Sequence, residues 1–157
     1  MKKVILVISI FLILLLTGCG IFDLDGWVWP DDPEFMAVVE ELDTPEKIGN
    51  YMLENFTCEA HDLWALDPYE LWKIKKGDCN DFSTFGVFIA DYHGYETWQI
   101  RIYYDNTIFK HSIAVYDEDI WYGITDNRNY FFGFDSFREI VDWDSDNFTF
   151  SNGAAKP

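Results

Sequence analysis

Apolar residues recur at helical spacing through the first half of the chain and at alternate positions through the second, which predicts helices first and a sheet after them. Asp32 followed by Pro33 marks a helix start, and Phe35, Val38, Val39 and Leu42 supply the i, i+3, i+4, i+7 stripe of one buried face. Thr44-Pro45 repeats the device ahead of Ile48, Tyr51, Met52 and Phe56. Asp67-Pro68 opens a third, short helix through Trp72 to Ile74, which Lys75-Lys76-Gly77 breaks. Phe82, Phe85, Ile89 and Tyr92 define a fourth helix, with Cys79 in its first turn and His93-Gly94 at its end. Beyond Gly94 the period changes to two: Trp98, Ile100, Ile102 and Tyr104 alternate with Thr97, Gln99, Arg101 and Tyr103, and strands His111 to Asp117 and Ile120 to Asp126 follow. Asp135-Ser136 caps a short helix carrying Phe137, Ile140 and Val141, Phe148-Thr149-Phe150 adds an expected edge strand, and the tail from Ser151 is expected to fray. The predicted class is α+β, with N-terminal helices packed on a small antiparallel sheet.

The N-terminal residues change that picture. Lys2 and Lys3 precede an apolar run from Val4 to Leu16, which is long enough for a signal-peptide core and short of the roughly 20 residues a spanning helix needs. Leu16-Thr17-Gly18-Cys19 resembles the lipobox of bacterial lipoproteins, which implies cleavage before Cys19, a lipid on its sulfur, and a place in the bacterial cell envelope facing outside the cytoplasm. The domain plan is therefore a signal peptide over 1–18, a tether over 19–31, one globular domain over 32–150 and a flexible tail over 151–157. Trp27 and Trp29 are expected to dock the tether on that body.

Charge then excludes partners. The chain carries 11 basic and 28 acidic residues, a formal −17, and loss of Lys2 and Lys3 would leave 9 against 28, or −19. Such a body is repelled by nucleic acid and by anionic lipid, so membrane attachment falls to the lipid on Cys19. The 19% of aromatic residues is ample to fill one core, and a monomer is expected.

The densest chemistry is Gly77-Asp78-Cys79-Asn80-Asp81, followed by His111 and Asp126 in that order. A thiol attacks carbonyls as thiolate, which a helix N-terminus and a neighbouring imidazole both favour, and Cys79 has a helix start. A turn centred on Glu118-Asp119 would set His111 directly opposite Asp126, in reach of an imidazole–carboxylate hydrogen bond, with Ile113, Val115, Tyr122 and Ile124 on the same face packing on the Cys79 helix. A two-residue turn and a four-residue loop on that centre are equally compatible. Of Asp78 and Asp81, one is expected to cap the helix and the other to face solvent. If Cys19 is lipidated, Cys58 and Cys79 remain, and the competing assignment is a disulfide between them. His61 and His93 read as polar or cap residues. Asp142-Trp143-Asp144-Ser145-Asp146 lacks the glycine and distal glutamate of a calcium loop and is expected to be a solvated acidic loop. No zinc spacing or phosphate-binding glycine loop occurs, so neither metal nor cofactor is expected.

Together these residues resemble the transglutaminase-like superfamily of papain-related folds, and within it the bacterial transglutaminase-like cysteine proteinases. The resemblance covers roughly residues 44 to 130: Thr44-Pro45-Glu46-Lys47-Ile48, Gly77 through Ser83, Gly94-Tyr95, His111 and Asp126-Asn127. It implies a papain/transglutaminase-like core and a Cys79–His111–Asp126 triad that hydrolyses an amide or peptide bond through an acyl-enzyme, with Trp64, Trp72 and Asn80 as candidates for the oxyanion-hole side chain. The alternative is a catalytically silent surface lipoprotein that binds a glycan or protein through Tyr103, Tyr116, Trp121 and Tyr130.

Overall fold

The computed structural model describes residues 27–61, 64–104, 110–147, 150–151 and 154–155; the expected signal peptide, Cys19 and the tether ahead of Trp27 lie outside them. Helix α1 (Pro33–Glu41) starts where Asp32 accepts hydrogen bonds from the Glu34 and Phe35 N–H groups, and α2 (Pro45–Asn55) where Thr44 accepts from Lys47. Strand β1 (Thr57–Cys58), helix α3 (Pro68–Ile74) and strand β2 (Lys76–Gly77) follow, with β1 and β2 paired in parallel. Helix α4 (Cys79–Tyr92) then leads into an antiparallel sheet of β3 (Thr97–Tyr103), β4 (Lys110–Glu118), β5 (Trp121–Asp126) and β6 (Asn129–Phe134) in the order β3-β4-β5-β6. Helix α5 (Phe137–Asn147) follows, and the short strands β7 (Phe150–Ser151) and β8 (Ala154–Ala155) pair with each other; of the expected edge strand, Phe148 and Thr149 lie outside the described residues. The class is α+β, and no helix among the described residues is long and apolar enough to cross a membrane.

The sheet is sandwiched, which corrects which face meets the Cys79 helix. Ala114 and Tyr116 pack with Phe82, Phe85 and Ile89 of α4 and with α1 and α2, whereas Ile113, Val115 and Ile124 form a second core with Ile140 of α5, Trp98 and Ile102. The small residues on the α4 side let the helix come close. A methyl at Gly86 would stand 2.3 Å from the Tyr116 hydroxyl, which is buried and bonded to Thr125 at 2.6 Å. Tyr116 is thus fully buried and unavailable as a surface binding ring.

Three further departures bear on the site. The hairpin turn falls on Asp119-Ile120, with Asp119 at φ 70, so Asp126 lies opposite Ile113 and His111 opposite Ile102 of β3. That moves the expected register by two residues. An even shift keeps His111 and Asp126 on one face as diagonal neighbours, where an odd one would have separated them. Strand β6 was not predicted: Asn-Tyr-Phe-Phe-Gly-Phe shows no alternation, and Gly133 at φ 105 breaks the run. The expected solvated acidic loop is instead the second half of α5, with Asp144 only 1% exposed. Finally, Trp27 and Trp29 pack on Phe88 at centroid distances of 5.2 and 4.3 Å, and the Trp27 indole donates to Asp91 at 2.7 Å.

Candidate active site

Cys79 is the first residue of α4, placed there by a reciprocal cap. The Asp78 carboxylate accepts from the Asn80 and Asp81 N–H groups at 2.9 and 3.4 Å, and the Asp81 carboxylate accepts from the Asp78 N–H at 2.7 Å. Asp81 does not face solvent as expected. It is fully buried and also accepts from the Leu66 N–H and pairs with the His61 ring, each at 2.7 Å. Both ends of the Gly-Asp-Cys-Asn-Asp motif therefore have a physical cause: a Cβ at Gly77 would lie 2.6 Å from the Asp81 carboxylate oxygen, so only glycine leaves the carboxylate room. Asp81 in turn ties the segment carrying Leu66 to the helix start, and His61 is no bystander.

The imidazole of His111, 2% exposed, sits at the start of β4 and bonds through Nε2 to the Asp126 carboxylate at 2.6 Å. The Cys79 thiol lines the same cleft as the ring and lies near enough to help hold it charged. Burial disfavours that charge, but the bond to Asp126 and the contribution of Cys79 outweigh burial and raise the His111 pKa from 6.5 to about 10. The three residues chosen from the sequence are thus brought into a row. Cys58 and Cys79 are both free thiols, and Cys58 is exposed on β1, with burial of its sulfur pushing its pKa up.

A second carboxylate joins the row. Asp144 of α5 lies 4.0 Å from His111 Nε2, and the Tyr104 hydroxyl donates to it at 2.5 Å. Burial, with Asp126 nearby, pushes the Asp144 carboxyl up against the opposing effects of Tyr104 and His111; burial and the bond to Asp144 push the Tyr104 phenol up. The sequence did hold a signal for this residue, because Phe137, Ile140 and Asp144 continue one helical stripe, but the acidic surroundings read as a loop.

Among the described residues, His111, Asp126 and Asp144 form one of two clusters whose ligand atoms lie within 4.8 Å of one another; His61, Asp78 and Asp81 form the other. In both, the oxygens already accept hydrogen bonds: Asp81 from Leu66, Asp78 and His61, Asp144 from Tyr104, Asp126 from the imidazole. A cation would have to displace those donors, which makes each cluster a hydrogen-bonded scaffold first.

Cys79 and His111 open onto a cleft of about 230 Å³ whose walls include Trp64, Asn80, Arg101 and Lys110. Trp64, 93% exposed, and Asn80 remain in place as oxyanion candidates, whereas Trp72 packs on Phe35 and Tyr69 and does not line the cleft. Gln99 steadies Asn80, donating to its side-chain oxygen at 3.2 Å and to Ser83 at 2.7 Å. A larger cavity, about 530 Å³, is lined by Asp43, His93, Asp117 and Glu118 among others, with no thiol or hydroxyl nucleophile of Cys, Ser or Thr in its wall. There His93 binds the Val39 carbonyl at 2.8 Å, as a helix-end residue does. Neither protein-family models nor the curated proteins yield a match to this chain.

Proposed function

We propose that this chain is a transglutaminase-like thiol enzyme that hydrolyses an amide or peptide bond, with Cys79 as nucleophile, His111 as proton carrier and Asp126 as its orienter. One observation carries the reading: a thiol at a helix start and a buried imidazole line one open cleft, and a carboxylate stands 2.6 Å from the Nε2 of that imidazole. The helix bearing the thiol and the antiparallel sheet bearing its partners are the arrangement a papain-like core requires, which supports the resemblance seen in the sequence.

In this mechanism Cys79 Sγ attacks the scissile carbonyl while the imidazolium, fixed through Nε2 by Asp126, holds the proton near the leaving amine. The oxyanion forms beside the Cys79 backbone N–H at the start of α4, the neighbouring N–H groups being engaged by the Asp78 cap, with Trp64 and Asn80 in the cleft wall. Acylation removes the thiolate charge that helps hold the imidazole protonated, so the proton passes to the amine as the C–N bond breaks and the thioester forms. Neutral His111 then takes a proton from water as the resulting hydroxide adds to the thioester carbonyl, the C–S bond breaks, the acid leaves, and the imidazolium and the Cys79 thiolate are restored. Asp144 and Tyr104 back the ring without touching the substrate and act as positioning residues.

Iodoacetamide labelling across pH 5 to 9 tests the proposal. Preferential modification of Cys79 well below pH 8, lost in His111→Ala, supports it, and labelling no faster than an unfolded thiol refutes it. Cys79→Ala separates the enzyme from the silent binding module: the module keeps its biological effect, the enzyme loses it. The exposed rings of Tyr103 and Trp121 are what that second reading retains. Envelope anchoring through Cys19 is part of the same proposal, supported by the sequence, and Cys19→Ser should release the chain or leave it unprocessed.

A further inference from the structure

The cleft carries a charge opposite to that of the protein as a whole. Among the described residues Lys47, Lys73, Lys76 and Arg138 are neutralised by ion pairs with carboxylates; Lys75 bonds the Tyr51 hydroxyl and Arg128 the Phe56 carbonyl, and Arg101 and Lys110 have no carboxylate partner. Both of these line the cleft that holds Cys79 and His111. They lie near one another on adjacent strands, since Arg101 is opposite Ser112 and Lys110 opposite Tyr103. Arg101 is aimed rather than loose: its Nη2 donates to the Asn80 side-chain oxygen at 3.2 Å, one residue from the nucleophile, and Lys110 rests 5.4 Å from the Tyr103 ring. Among the described residues the one carboxylate in the cleft wall, Asp78, is occupied by the two backbone N–H groups it caps.

Resting on the reading of Cys79 as nucleophile, we propose that the enzyme selects a peptide or amide bearing a carboxylate beside the scissile carbonyl, with Arg101 and Lys110 receiving that carboxylate. Guanidinium is suited to this task because its planar fork can bind a carboxylate through two parallel N–H bonds. The formal −17 of the chain limits the class further. A polyanion meets repulsion from the whole body, while a single carboxylate, screened beyond about 8 Å at physiological salt, responds to the nearby cations. Trp64, 93% exposed on the cleft wall, supplies an apolar surface for the rest of a peptide.

Paired alkylation with iodoacetate and iodoacetamide tests this on the full chain. In each reaction Cys79 Sγ displaces iodide from the same carbon, so the two reagents differ in carrying a carboxylate or a neutral amide. The ratio of the iodoacetate to the iodoacetamide rate at Cys79 should exceed that of the same thiol in the urea-unfolded chain. It should fall about three- to tenfold in Arg101→Gln and in Lys110→Gln, the effect of removing a nearby unit charge in a solvated cleft. Arg101→Lys, which keeps the charge, should retain most of the ratio, and added salt should lower it in the wild type. A ratio equal to that of the unfolded chain, or one that Arg101→Gln and Lys110→Gln leave unchanged, overturns the proposal while sparing the nucleophile. Slow reaction with both reagents in the folded chain fails the nucleophile reading instead.

Discussion

Replacing Asp126 with Asn removes one negative charge from the end of the row and keeps its shape. In the wild type the imidazole is buried, its pKa is nevertheless raised to about 10, and the bond to Asp126 is foremost among the causes that hold it charged. A hydrogen bond to a charged partner contributes about 1.5–3 kcal/mol net. Each pH unit corresponds to about 1.4 kcal/mol, so losing most of that preference should lower the His111 pKa by about one to two units, to roughly 8 to 9. It should not return to 6.5, because the contribution of Cys79 persists and Asp144 still lies 4.0 Å away. Proton NMR titration of the three histidine rings, with the His111 signal assigned by its loss in His111→Gln, measures this directly. The pH profile of Cys79 alkylation should move with it. A His111 midpoint that does not move in Asp126→Asn refutes the reasoning, since the carboxylate would then be a neighbour of the ring without holding its charge.

The raised His111 pKa also predicts a stability profile: a base held charged contributes fully below the unfolded value of 6.5 and loses that contribution as pH rises toward about 10, so urea unfolding should show stability falling between pH 6.5 and 9.5, and His111→Gln should flatten the fall. Asp144→Asn should lower the His111 pKa by less than Asp126→Asn does, because its carboxylate stands at 4.0 rather than 2.6 Å; a larger drop would reverse the assignment of orienter. Gly86→Ala should destabilise the fold by about 1–3 kcal/mol despite the better helix propensity of alanine, because the new methyl overlaps the Tyr116 hydroxyl; neutral chemical denaturation would mean that the helix moves away at no cost.

The elements that the chain announces are those with a start signal and a single period. Asp32-Pro33, Thr44-Pro45, Asp67-Pro68 and Asp78 each cap the helix predicted from them, because capping is local chemistry that needs no tertiary partner. The thiol, imidazole and carboxylate were legible for a related reason, in that each sits at an element end that the pattern marks. The hairpin register was not, since the choice between adjacent turn centres rests on one aspartate adopting positive φ, which many sequences tolerate. Nor was the second core face, because both sides of β4 are apolar and alternation cannot say which side meets which helix. Asp144 was hidden most deeply: a carboxylate among carboxylates looks solvated until a tertiary contact, here Tyr104 and His111, gives it a reason to be buried.

The indoles of Trp27 and Trp29 rest on Phe88, with Tyr92 beside Trp29, at the far end of α4 from Cys79. At 1.5 Å per residue that separation is roughly 15–20 Å of helix. Trp27 therefore lies at the end of the globule remote from the cleft. On the proposed reading of Cys19 as a lipid anchor and Cys79 as a nucleophile, attachment on the side of Trp27 would turn the cleft outward, toward polymers or neighbours beyond the membrane surface.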